Sequence, residues 1–330
     1  MHTLKVQAVA IATALLGSVA LLAQAQAQTP AEAQTWPQRP VKFIVPFGPG
    51  AGADIGARLL AERLPARWGK PVVIENRPGG DSLVAIQAFL SANDNHVLLF
   101  APSGNFTVHP FQFAKLPYTP ADLVPIARVS NTIIAVGVPG SDKINTVSEF
   151  VDAARAAPGI FNATAVQGFT EFVFDYFVKI AGLSLQKVPY RDTVQAATDL
   201  GEARLKIYMS SYAILRPQTE AGRIKLIAVN GRERVASLPN VPTVFEAGYP
   251  SLEYEGLVGL FGLKSMSKQL NEKIAVDIVA ATRDPVVSER LAATAQVANP
   301  GGPMEFAQSV DRQRASIAQI ARELDIKPTR

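Results

Sequence analysis

Glycines at positions 48, 50 and 52, with Asp54 close behind, stand where the apolar run Val41–Val45 gives way to a segment whose apolar residues Ile55, Leu59, Leu60, Leu64 and Trp68 recur at helical spacing. The chemistry of such a set lies in the backbone. Gly50 and Gly52 carry no Cβ and tolerate positive φ, so the amides around Phe47, Ala51 and Ala53 are accessible to a bound group. A turn of this kind opens a helix, whose first N–H groups and dipole favour negative charge, and the chemistry on offer is the seating of a carboxylate or phosphate. The competing structural reading takes Asp54 as the N-cap and the glycines as tight-turn residues. Nucleotide loops are excluded by pattern, because the chain has neither Gly-x-x-x-x-Gly-Lys-Ser/Thr here nor the Gly-x-Gly-x-x-Gly order with its acidic partner.

Catalytic groupings are sparse. His96 and His109 are not at metal-ligand spacing, and the chain contains no cysteine. Ser103 with His109 lacks a Gly-x-Ser-x-Gly elbow to hold a nucleophile. No enzyme, no metal and no cofactor are therefore expected.

The elements that must position the elbow alternate between strand and helix, as an α/β fold with mostly parallel sheets requires. Strands are expected at 72–74, 97–100, 161–166, 185–188, 205–209 and Ile224–Val229, with a returning strand within 254–263 and a helix-rich remainder. Thr146 followed by Glu149 is a capping box ahead of a helix. After the strand at 161–166, Gln167-Gly168-Phe169-Thr170-Glu171 forms a second glycine-bearing elbow, and the helix that follows carries an aromatic stripe at core spacing. Pro102-Ser103-Gly104-Asn105 is a polar loop at the carboxyl end of a strand, the edge where open α/β sheets bind ligands.

The chain opens with Lys5, an apolar run at 8–23 and then Ala25-Gln26-Ala27, a cleavable secretory signal that implies a periplasmic protein without a lipid anchor. Hydrophobic residues make up 48% and charged residues 18% of its 330 positions, which favours a folded body of two domains over disorder. The formal net charge of +4 is spread without basic runs, so nucleic acid and anionic membrane surfaces are poor partners.

Trp36-Pro37-x-x-Pro40, the elbow ending Gly50-x-Gly52-x-Asp54, the segment 72–79, Val188-Pro189-Tyr190 and the segment 238–248 together resemble the Bug family, the extracytoplasmic solute receptors of tripartite tricarboxylate transporters. The resemblance implies a type II-like, two-lobed (Venus-flytrap) periplasmic binding protein, monomeric, with a signal peptide at 1–27, one lobe from 36–136 plus 256–330 and the other from 137–255. It implies a small organic acid as ligand, a di- or tricarboxylate or an aromatic acid, delivered to integral-membrane permease subunits; presentation to a sensor kinase is the alternative. The ligand seat maps onto Phe47, Gly50, Ala51, Gly52, Ala53 and Asp54 and onto Thr164, Ala165, Gln167, Gly168, Phe169, Thr170 and Glu171. Ser103 and Asn105, Tyr190 and Arg191, and Ser210 and Ser211 follow other strands at the same edge as candidate side-chain contacts. Gly48, Ala51 and Ala53 depart from the family's usual first elbow, Val166 and Gln167 from the second, and Arg191-Asp192 replaces Lys-Gly.

Overall fold

The computed structural model describes residues 33–166, 168–190 and 192–328. The expected signal peptide lies outside the described residues, as do Gln167 and Arg191. The chain forms β1 (Val41–Val45), α1 (Gly52–Arg63), β2 (Val72–Asn76), α2 (Leu83–Ala92), β3 (Val97–Pro102) and α3 (Ser103–Gln112), then runs through β4 (Leu123–Thr132) into β5 (Ile134–Pro139). There follow α4 (Val147–Ala156), β6 (Asn162–Ala165), α5 (Phe169–Ile180), β7 (Gln186–Lys187), α6 (Thr193–Gly201), β8 (Ile207–Ser211), α7 (Tyr212–Glu220) and β9 (Ile224–Val229). The return consists of β10 (Leu257–Leu263), α8 (Lys268–Thr282), α9 (Pro285–Ala293), β11 (Gln296–Gly301) and α10 (Pro303–Glu323).

The strands assemble into two sheets, one of order β11-β4-β10-β3-β1-β2 and one of order β7-β6-β8-β5-β9. Both are mixed: β1 runs parallel to β2 and β3, and β6 to β7 and β8, whereas β10 is antiparallel to β3 and β4, and β5 to β8 and β9. This is the two-lobed α/β architecture that the sequence predicted.

Each sheet is covered on both faces, which is why central strands such as β3, β5 and β10 are buried at nearly every position rather than at alternate ones. Phe43 and Val45 of β1 pack with Leu59 and Leu60 of α1 and Ile274 of α8, while Ile44 faces Ile86 and Phe89 of α2 and Phe306 of α10. In the second sheet Val136 and Ala163 meet Phe150 of α4 and Val173 and Phe177 of α5, so the aromatic stripe is core. Ala135 and Tyr208 meet Ala196, Leu200 and Leu215 on the opposite face. Each large side chain buried this way contributes roughly 1.5–3 kcal/mol of transfer free energy. Half of the capping box forms: the Glu149 amide donates to Thr146 Oγ1 at 3.1 Å, but the Glu149 carboxylate accepts from the Asn145 amide at 2.6 Å rather than from that of Thr146.

The chain passes between the sheets at Ile133 and again at Tyr254, Glu255 and Gly256, where the two segments lie side by side. Thr132 N donates to Gly256 O at 2.8 Å, and a Cβ on Gly256 would stand 2.5 Å from the Thr132 carbonyl oxygen, so glycine is required there. Helix α10 forms a further bridge. Its Phe306 and Val310 pack beneath the first sheet, and its Ile317, Ile320 and Ala321 pack into the core of the second.

Candidate functional site

The first elbow is held from behind by Asp54. The N-cap of α1 is Ala51, which makes no side-chain cap bond; Asp54 is the third helical residue, a correction to its expected capping role. Its carboxylate, 1% exposed, accepts from Gly50 N at 2.8 Å, Arg58 Nε at 2.9 Å and Asn76 Nδ2 at 2.8 Å. Asn76 Nδ2 also donates to Phe47 O at 2.8 Å, so one buried group ties the ends of β1 and β2 to the start of α1. Burial would raise the Asp54 pKa, but the hydrogen bonds from Arg58, Asn76 and Gly50 outweigh it and hold the carboxyl below its ordinary range. The left-handed glycine is Gly50, with φ of 87°, and not Gly52. Gly52 instead packs toward Gln296, whose amide donates to Gly52 O at 2.8 Å. Phe47 and Gly48 line the cleft described next, whereas Gly50, Ala51, Gly52, Ala53 and Asp54 do not.

A cavity of about 410 Å³ lies between the sheets. It is walled by the N-termini of α3 (Gly104, Asn105) and α5 (Phe169, Thr170), by Gly79, Asp81 and Ser82, by Thr132 and Glu255 on the crossing segments, and by Gln313 of α10. Two helix N-termini therefore point unpaired first-turn amides and positive dipole ends at one space. Among the described residues that line it, none is Lys or Arg.

The loop before α2 is the most strained backbone at the cavity. Gly79, Gly80, Asp81 and Ser82 have φ of 114°, 56°, 52° and 76°, four successive left-handed residues of which two are not glycine. For Asp81 and Ser82, which are not glycine, such positions cost of order 1–3 kcal/mol each and persist only where the surroundings hold them. Here His109 does so: buried and 0% exposed, it places Nε2 2.9 Å from Asp81 O and Nδ1 2.7 Å from Tyr118 Oη. A carbonyl can only accept, so Nε2 carries the proton and Nδ1 accepts from Tyr118. Burial lowers the His109 pKa and keeps the ring neutral in this role. Within the turn the Ser82 amide already donates to Gly79 O at 3.1 Å, so what Ser82 offers the cleft is its hydroxyl. Asn105 Nδ2 donates to Ser82 Oγ at 2.6 Å, which leaves the Ser82 hydroxyl proton available to an incoming acceptor.

Behind this wall Ser103 Oγ donates to Gln313 Oε1 at 2.6 Å and Gln313 Nε2 donates to Glu255 O at 3.0 Å, joining α3, α10 and the crossing segment. On the opposite wall Thr170 Oγ1 lies 2.6 Å from Tyr254 Oη, and the Phe169 ring centroid is 4.6 Å from that of Tyr254. A Cβ on Gly104 would be 3.1 Å from Phe169 Cβ, so the starts of α3 and α5 touch across the cleft.

Of the residues nominated from sequence, the structure thus brings together Phe47, Asn105, Phe169 and Thr170, with Ser103 directly behind them. Thr164 and Ala165 are buried in β6, and Gly168 is the N-cap of α5 with φ of 95°. Glu171 pairs with Lys187 at 2.7 Å, and Tyr190 donates to Asp199 at 2.6 Å. Ser210 is fully buried and Ser211 caps α7, both outside the cavity wall. The 79–82 loop, Glu255 and Gln313 were not foreseen; Pro78-Gly79-Gly80 was visible only as a turn. A larger groove of about 710 Å³ runs along the other flank of the crossing segments, past Arg232, Arg234 and Gln296. None of the helix N-termini named above opens into it, and Arg234 is already held by Glu246 at 2.9 Å and by Pro239 O at 2.8 Å. The smaller cavity is the better candidate.

No group of three or more His, Cys, Asp or Glu is placed to hold a metal ion among the described residues. Two α/β lobes joined by crossing segments, with a cleft at helix N-termini between them, form the architecture of a solute-binding protein. Residues 56–323 match the family model for the tripartite tricarboxylate transporter family receptor, and the chain belongs to that family, which is one of receptors and not of enzymes. It is similar to a UPF0065 protein of Bordetella bronchiseptica, 29% identical over 300 residues that cover 90% of this chain and 89% of that protein. Protein BugT of Bordetella pertussis is 28% identical over 244 residues, covering 72% of this chain and 75% of its own. Among solved structures, R. palustris Rpa4515 with adipate superposes with a TM-score of 0.78 at 23% identity, over 89% of this chain and 100% of that one. No helix among the described residues is long and apolar enough to cross a membrane.

Proposed function

We propose that this receptor captures a small organic carboxylate in the periplasm, in the 410 Å³ cleft between its lobes, and delivers it to the permease of a tripartite transporter. The single observation that carries the reading is the convergence on that cleft of the N-termini of α3 and α5 with the left-handed 79–82 loop, which together offer hydrogen-bond donors without a fixed cation. A carboxylate fits it through backbone amides and the Ser82 hydroxyl, as anions do at helix starts. The volume lies within the usual range for a small-molecule site. The structural relative with adipate adds support for a carboxylate. Closure would move one sheet with its helices against the other about the segments near Ile133 and Glu255, with α10 limiting the travel. A thermal-shift screen of the mature protein over mono-, di- and tricarboxylates and aromatic acids tests the proposal. At least one acid should raise the melting temperature in proportion to saturation; a flat response across all classes at millimolar concentration contradicts it.

A further inference from the structure

We propose that the cleft is built for a zwitterion, a carboxylate whose other end carries a protonated amine paired with Glu255. The inference rests on the carboxylate reading of the cleft and adds the chemistry of the ligand's far end. The α3 and α5 starts turn positive dipole ends toward one wall, where the Ser82 hydroxyl and Asp81 also lie. Glu255, on the segment crossing between the lobes, lines the same cleft and both neighbouring cavities. Its backbone is fixed, because Gln313 Nε2 donates to its carbonyl at 3.0 Å and the next residue, Gly256, has no room for a Cβ beside Thr132. Its side chain is only partly exposed, yet the carboxylate has no hydrogen bond or ion pair among the described residues. The cations nearby are directed elsewhere: Arg232 lies 3.8 Å from Glu253, and Arg312 donates to Ser309 Oγ at 2.9 Å. Burial pushes the Glu253 pKa up, against the opposing charge of Arg232 and with a smaller contribution from the like charge of Glu255. A partly desolvated carboxylate without a cation disfavours a second ligand carboxylate and favours an ammonium group in its place. The ligand's carboxylate then meets the helix starts and its ammonium meets Glu255, which makes a dicarboxylate the poorer fit.

Calorimetry on the mature protein with two matched triplets, succinate, 4-aminobutyrate and butyrate, then adipate, 6-aminohexanoate and hexanoate, tests this directly. In at least one triplet the amino acid should bind tighter than both its partners by about tenfold or more. Glu255→Gln, which keeps the shape and the Gln313 contact to the backbone, should abolish that preference and bring the dicarboxylate within about threefold of the amino acid. Circular dichroism and an unchanged urea midpoint establish that the variant folds. A wild-type preference for the dicarboxylate, or a preference for the amino acid that survives in Glu255→Gln, overturns the inference and leaves the carboxylate reading standing. Binding by none of the six compounds overturns this inference, while the carboxylate reading is decided separately by the thermal-shift screen.

Discussion

Replacing Asp54 by asparagine changes a single atom, and the structure makes that change expensive. Oδ2 accepts from both Gly50 N and Arg58 Nε, and Oδ1 accepts from Asn76 Nδ2, so all the donors aimed at the side chain require an acceptor. Asparagine supplies one oxygen and one amide; in either orientation an N–H faces another N–H in a site that is 1% exposed. Hydrogen bonds to a charged group are worth about 1.5–3 kcal/mol each, and a buried donor left without a partner costs about 1–3 kcal/mol. The Arg58 share is discounted, since its side chain is 48% exposed and solvent compensates it. Asp54→Asn should therefore lower the unfolding free energy by about 2–4 kcal/mol. Urea denaturation followed by tryptophan fluorescence reads this well, because Trp36 and Trp68 stack edge to face at 4.9 Å in the core of the same lobe. Since the folded-state pKa is depressed, the carboxylate's stabilisation is present above the unfolded value near 4 and is lost as pH falls through the folded value. The acid limb of the wild-type stability curve below pH ~4 should flatten in the variant. A loss under roughly 0.5 kcal/mol would show that the elbow does not depend on this clasp.

Other outcomes follow from neighbouring contacts. His109 has a depressed pKa in the folded state, so its contribution is complete above the unfolded value of about 6.5 and declines below it; between pH 6.5 and 5 the wild type should lose up to about 1.4 kcal/mol per pH unit more than His109→Gln in denaturation measurements. Gly50→Ala should cost about 1–2 kcal/mol because φ is 87° there, whereas Gly52→Ala should cost less, its Cβ meeting Gln296 Nε2 at an ordinary 3.5 Å; equal costs on denaturation would refute the assignment of the left-handed position. Gly256→Ala should both destabilise the protein and weaken binding of the best acid from the screen, since its Cβ would meet the Thr132 carbonyl at 2.5 Å on the segment between the lobes.

Strands rich in apolar residues were legible, β1, β3 and β9 among them, even where Lys42 and Lys225 interrupt the run, because burial on both faces leaves a strong signal. Strands β4, β5 and β11 were not foreseen, β5 despite being apolar and buried at every position. Pro125 interrupts β4, and β11 carries Asn299-Pro300-Gly301, residues that read as a turn; the register shift between Ala298 and Gly301 is where that segment departs from regular pairing with β4. At the site, Phe169 and Thr170 could be found from the second elbow, since a glycine at the end of a strand marks a helix start. Asp54 was recognisable as important but not in role, because its partner Asn76 stands on a different strand end, 22 positions away. Glu255 and Gln313 had no local signature at all. Their place at the cleft comes from the return of the chain and from α10 crossing beneath both sheets, contacts set only by tertiary packing.

The central claim is that a carboxylate sits at the starts of α3 and α5. Amide chemical-shift mapping of the isotopically labelled mature protein, titrated with the best acid from the thermal screen, tests it most directly. The largest saturable shifts should fall on Ser82, Gly104, Asn105, Phe169 and Thr170, the residues whose amides border the 410 Å³ cleft. Shifts concentrated instead along Arg232, Arg234 and Gln296, in the 710 Å³ groove on the other flank, would contradict the account.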